Sequence, residues 1–70
     1  AATLTSRELE ILRLIGAGRT SKAIAAELGL SVKTVEHYRT SLLAKFGASN
    51  LVGLIRAALR EGLLDLDEDG

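Results

Sequence analysis

Three residues, Gly29-Leu30-Ser31, limit the fold of this chain more than any others. Glycine enters the left-handed backbone conformation without steric cost, and helices commonly stop on such a residue. Serine is a preferred N-cap, because its hydroxyl accepts a backbone N–H of the helix that follows. A stop and a start two residues apart force an abrupt turn. The spacing therefore predicts one helix over 21–28 and a second over 32–46, joined at a tight corner. That arrangement is a helix-turn-helix.

The apolar pattern agrees. Ile24 and Leu28 lie four apart on one face of the first of these helices, with small Ala25 allowing close approach. Val35, Tyr38, Leu42 and Phe46 recur at spacings of three and four along the second, giving one inward stripe. Leu30 plugs the corner. Upstream, Thr5-Ser6-Arg7-Glu8 is a capping box, in which the Thr5 hydroxyl and Glu8 carboxylate each satisfy a free N–H. It opens a helix over 6–17, carried by Leu9, Leu12 and Ile15 and loosened and ended by Gly16 and Gly18. Thr20 caps the next helix.

Gly47 stops the long helix, and Ser49 or Asn50 starts a fourth over 50–61. Its apolar set is Leu51, Leu54, Ile55, Ala58 and Leu59, with Leu51, Ile55 and Leu59 expected to face inward. Val52, Arg56 and Arg60 face outward, and Gly53 lets another backbone come close. Gly62 ends this helix, and Leu63-Leu64 fold back on the core. No stretch alternates like a strand, so the expected class is all-α, a four-helix bundle.

Seventy residues make one small domain with a thin margin of stability. The start at Ala1-Ala2 suggests a module of a longer protein, with residues 1–64 as the domain and 65–70 as a disordered acidic tail. With no Cys, a disulfide framework and thiolate metal sites are excluded. No membrane span or signal peptide is evident, and the composition fits a cytoplasmic protein. A catalytic site is not expected. His37 and Ser41 are four apart on one helix, but no acid orients the imidazole. Asp65-Leu66-Asp67-Glu68-Asp69-Gly70 begins like a calcium loop, but the chain stops before the later ligands. Neither a metal nor a cofactor is therefore expected.

A formal net charge of zero argues against a nucleic-acid partner until its distribution is considered. All nine Lys and Arg residues lie between Arg7 and Arg60, while four of the nine acids lie at 65–69. Residues 19–46 carry five basic side chains against Glu27 and Glu36. The corner is mildly basic, so a lone copy is expected to bind a polyanion weakly.

The order LTSRELEILRLIGAG, TSKAIAAELGLSVKTVEHYRTSLLAKFGASN, LVGLIRAALREGL resembles the LuxR/FixJ-type (GerE-like) DNA-binding domain. The most specific pieces are Leu4-Thr5-x-Arg7-Glu8, Lys22-x-Ile24-Ala25, Ser31-x-x-Thr34-Val35 and Lys45-Phe46-Gly47. The resemblance implies four helices, the fourth pairing two subunits. It also implies the C-terminal output domain of a bacterial transcription factor, often a response regulator. The chain departs from the usual pattern with Ser21, Ala23, Glu36, Tyr38 and Leu51. Such changes leave the fold intact and alter which bases are read.

On this reading the helix over 32–46 enters the major groove of double-stranded DNA. By the family's pattern Glu36, His37 and Thr40 read bases, with Lys33 beside them at the helix start. A carboxylate suits the cytosine N4 donor. Glu36 has a second reading, an ion pair with Lys33 or Arg39 three residues away. Lys22, Lys33, Arg39 and Lys45, with the hydroxyls of Thr20, Ser31 and Thr34, are the expected phosphate contacts. Lys45 could also cap the helix dipole. Val52, Gly53, Arg56 and Arg60 are the expected dimer contacts, and RNA polymerase is a further expected partner. The rivals are a sigma-factor promoter-reading module and a helical docking module without DNA.

Overall fold

The computed structural model describes residues 3–65. It contains four helices and no strand among those residues: α1 (Ser6–Gly16), α2 (Ser21–Leu28), α3 (Val32–Phe46) and α4 (Leu51–Arg60). The fold class is all-α with a helix-turn-helix at α2–α3, as the corner residues predict. The expected acidic tail and its calcium-loop start lie outside the described residues, apart from Asp65.

Each helix begins on a polar side chain that accepts a backbone N–H three residues on. The acceptors are Thr5 for α1, Thr20 for α2, Ser31 for α3 and Asn50 for α4. Asn50, not Ser49, is thus the last cap, with its Oδ1 2.9 Å from the Gly53 nitrogen. At the corner Gly29 has φ +70, and the Leu30 N–H reaches back 2.9 Å to the Ala25 carbonyl. This six-residue closure satisfies a free carbonyl at the end of α2 and aims Leu30 inward.

The core is made of Ile11, Leu12 and Ile15 from α1, Ile24 and Ala25 from α2, Val35 and Leu42 from α3, and Leu54 and Ala58 from α4. Tyr38 and Phe46 pack against it half-buried, so the expected stripe of α3 is intact. α3 touches all three other helices, whereas α4 packs chiefly on α3. The long helix is the axle of the bundle.

The glycines end helices much as expected, and one local expectation, the inward face of α4, is corrected. Gly16 is the last residue of α1 and Gly18 takes the positive φ at which the chain turns, as expected; a Cβ at Gly16 would stand 3.0 Å from Leu64 Cδ1, so the small residue also makes room for the returning Leu63-Leu64 segment. At Gly53 a Cβ would meet Ala48 Cβ at 3.4 Å and the capping Asn50 Oδ1 at 3.6 Å, both ordinary van der Waals contacts. On α4 the inward stripe is Leu54 and Ala58 with Leu51 beside them. Ile55 and Leu59 stay half-buried outside the packed core, because the apolar arc of α4 is wider than the single helix it leans on.

Candidate nucleic-acid interface

The edge of α3 that faces away from the bundle is polar and open. Lys33, Glu36, His37, Thr40 and Ala44 are all exposed, while Val35 and Leu42 behind them are fully buried. The helical repeat decides this: burying 35, 38, 42 and 46 leaves 33, 36, 37, 40 and 44 on the opposite side.

Hydroxyls cluster at the two helix starts beside that edge. The Thr20 Oγ1 accepts the Ala23 N–H at 3.1 Å. The Ser31 Oγ accepts the Thr34 N–H at 3.0 Å and donates to Thr34 Oγ1 at 2.9 Å. Ser31 therefore spends its proton locally, and Thr34 keeps a hydroxyl proton free to donate outward. The N-termini of α2 and α3 also carry partial positive charge and unpaired N–H groups.

The five cations of this region separate into two kinds. Lys22 and Lys33 are exposed and have no ion-pair partner among the described residues. The other three are engaged within the domain. Arg19 Nη1 lies 2.6 Å from Glu27 Oε1, tying the α1–α2 turn to the end of α2. Arg39 Nε lies 3.7 Å from Glu36 Oε1. Lys45, an expected phosphate contact, reaches back to the start of α1: its Nζ is 2.7 Å from Glu8 Oε1 and 3.2 Å from the Thr3 carbonyl oxygen.

Glu8 does more than cap α1. The capping box is present, with the Thr5 N–H donated to Glu8 Oε1 at 2.9 Å. The same oxygen takes the Lys45 ammonium, and Glu8 is only 7% exposed. Glu8 and Lys45 are 37 residues apart, so no helical spacing could have paired them. The Lys45 hydrogen bond, followed by that of the Thr5 backbone, holds the Glu8 carboxyl below its ordinary value of 4.5 against the opposing effect of desolvation.

A pH dependence of stability follows. The pair stabilises the fold fully above the ordinary carboxylate value, because the folded chain then binds fewer protons than the unfolded one. That contribution is lost as pH falls through the lowered folded value. The midpoint of urea unfolding should drop as pH falls from about 5 to about 3 in the wild type, and more shallowly in Glu8→Gln. Equal slopes would show that Glu8 is not the group responsible.

No group of three or more His, Asp or Glu side chains suited to a metal occurs among the described residues, and no single helix there is long and apolar enough to cross a membrane.

Comparison with known proteins matches residues 2–58 to the family described as bacterial regulatory proteins, luxR family (GerE). The chain belongs to the luxR family. Among curated relatives, the response regulatory protein YgeK of Escherichia coli (strain K12) is 48% identical over 60 residues, covering 86% of this chain and 41% of YgeK. Among solved structures, Vibrio cholerae VqmA in complex with ligand and DNA gives a TM-score of 0.85 at 43% identity, over 90% of this chain and 28% of that one. The transcription factor GerE gives 0.84 at 38% identity, over 91% of this chain and 96% of that one. This luxR-family domain thus spans less than half of YgeK and VqmA and nearly the whole of GerE.

Proposed function

We propose that this luxR-family domain binds double-stranded DNA sequence-specifically, with α3 in the major groove, as the effector part of a bacterial transcriptional regulator. The observation that carries the reading is the outer edge of α3: Glu36, His37 and Thr40 stand exposed in a row with Lys33 on the same helix, and neither Lys33 nor the exposed Lys22 of α2 has an ion-pair partner among the described residues. The relationship to VqmA, whose structure is a complex with DNA, supports it.

Glu36, His37 and Thr40 read base edges, and Lys33 stands beside them at the helix start. Lys22, Thr20 and Thr34 hold phosphates, with Ser31 ordering Thr34. Arg39 and Lys45 are left out of the phosphate set, because both already face carboxylates of their own chain.

A second copy pairs through α4, where Val52 is 65% exposed and Ile55 and Leu59 are half-buried outside the core. Val52, Gly53, Arg56 and Arg60 frame that surface. A VqmA structure described as a dimer, 40% identical with a TM-score of 0.87, supports a paired state. Two copies would set two recognition helices on two half-sites. The likeness to YgeK supports a response regulator as the parent protein. Its place of action is then the cytoplasm, with an operator and RNA polymerase as partners.

Binding to a panel of single-base operator variants tests the base readers. Glu36→Ala and His37→Ala should each change the preferred base at one position, by about tenfold or more in relative affinity. Unchanged preference in both variants removes α3's outer edge as the reading surface.

A further inference from the structure

Arg39 has an unusual setting for a cation on an outward-facing helix. Its side chain is only 21% exposed and lines a cleft with Gly18, Thr20 and Ser21 on one side and Leu51 and Ile55 of α4 on the other. Its guanidinium carries five N–H donors, yet makes no hydrogen bond to any described residue. The charge nearest to it is Glu36, at 3.7 Å, and that carboxylate is 57% exposed in the base-reading row. Lys33, the other basic residue three positions from Glu36, makes no ion pair with it among the described residues.

We propose that Arg39 is a positioning residue for base reading: it holds the Glu36 carboxylate in place from behind, so that the ion pair and the base contact are one device. The proposal rests on α3 being the recognition helix, as read above. A carboxylate has two oxygens and about four acceptor sites, so one oxygen can face Arg39 while the other accepts the cytosine N4 amino group. Glu36 also has an electrostatic handicap, since a carboxylate entering the major groove approaches two rows of phosphates. A guanidinium within about 4 Å offsets that repulsion, and the attraction strengthens as docked DNA excludes water from the cleft. Arg39 suits the task because the cleft keeps its stem on the bundle, at the flank of the row, with its donors unspent.

The test is a double-mutant cycle on the 70-residue chain. The probe is a fluorescein-labelled duplex carrying the site that the wild type selects from a random pool, plus variants of each base pair. Dissociation constants are read by anisotropy across a salt series for wild type, Glu36→Gln, Arg39→Met and the double variant. Methionine keeps an apolar stem in the cleft, and Arg39→Lys serves as the conservative rescue. Circular dichroism melts confirm folding of each variant.

Glu36→Gln and Arg39→Met should each reduce discrimination at the same base pair, from about tenfold or more to about twofold. The double variant should lose no more than either single one, and Arg39→Lys should keep most of the discrimination. A phosphate-binding Arg39 would behave differently. Arg39→Met would then weaken binding to every sequence alike, flatten the salt dependence by about one unit and leave discrimination intact, which overturns the proposal. Discrimination unchanged in Glu36→Gln overturns the base-reading role of Glu36 together with the part given to Arg39. Loss in Arg39→Met alone, with Glu36→Gln normal, keeps α3 as the reader and overturns only the link between the two residues.

Discussion

Leu42→Ala should cost about 3 kcal/mol of stability and lower the melting temperature by roughly 15 °C. Leu42 is fully buried in the C-terminal half of α3, the helix that touches all three others. Truncation removes three carbons from the place where the bundle meets its axle, and the surrounding helices can close only part of the gap. For a domain of this size such a loss is a large fraction of the total, so a substantial unfolded population is expected at 37 °C. Thermal and urea unfolding followed by circular dichroism measure it. A loss below about 1 kcal/mol would mean that α3 is not anchored through Leu42. DNA binding should fall with the folded fraction and recover on cooling, because Leu42 is remote from the outer edge of the same helix.

The second large effect is a contrast between two lysines. Lys22→Ala should weaken binding to all DNA sequences and flatten the plot of log affinity against log salt by about one unit, with little change in stability. Lys45→Met should do the reverse, lowering the unfolding midpoint while leaving the salt slope near that of the wild type. The difference is one of partners. Lys22 is exposed with no carboxylate to face among the described residues, whereas Lys45 is held by Glu8 and the Thr3 carbonyl. Removing Lys45 leaves a buried carboxylate without its main counter-charge and loosens the end of α3 from the start of α1. A Lys45→Met protein with wild-type stability and a flattened slope would return Lys45 to the phosphate set.

Most of the fold is legible in the order of residues alone. Thr5, Thr20, Ser31 and Asn50 are caps, and a cap acts on a backbone N–H three residues away. The same holds for Gly29 and Gly47, whose positive φ ends α2 and α3. The inward stripe of α3 was equally legible, because burying Val35 and Leu42 on a helix leaves no freedom about where Glu36 and His37 point.

What escaped were the consequences of packing. Glycine reads locally as a helix breaker, yet Gly16 also leaves space that a Cβ would contest with Leu64 at 3.0 Å. An apolar residue on an amphipathic helix reads as core, yet Ile55 and Leu59 fall outside it, since α4 has one main neighbour to cover its apolar arc.

The chain's own order of residues settled where each helix starts and stops and which edge of α3 meets solvent, because those depend on interactions spanning a few residues and on the helical repeat. The tertiary structure alone assigned the cations. It sends Lys45 to Glu8, Arg39 into the cleft beside Glu36, and leaves Lys22 and Lys33 without a partner among the described residues. A long flexible side chain takes whichever carboxylate the packed bundle brings within about 4 Å, and that distance exists only once distant segments have met.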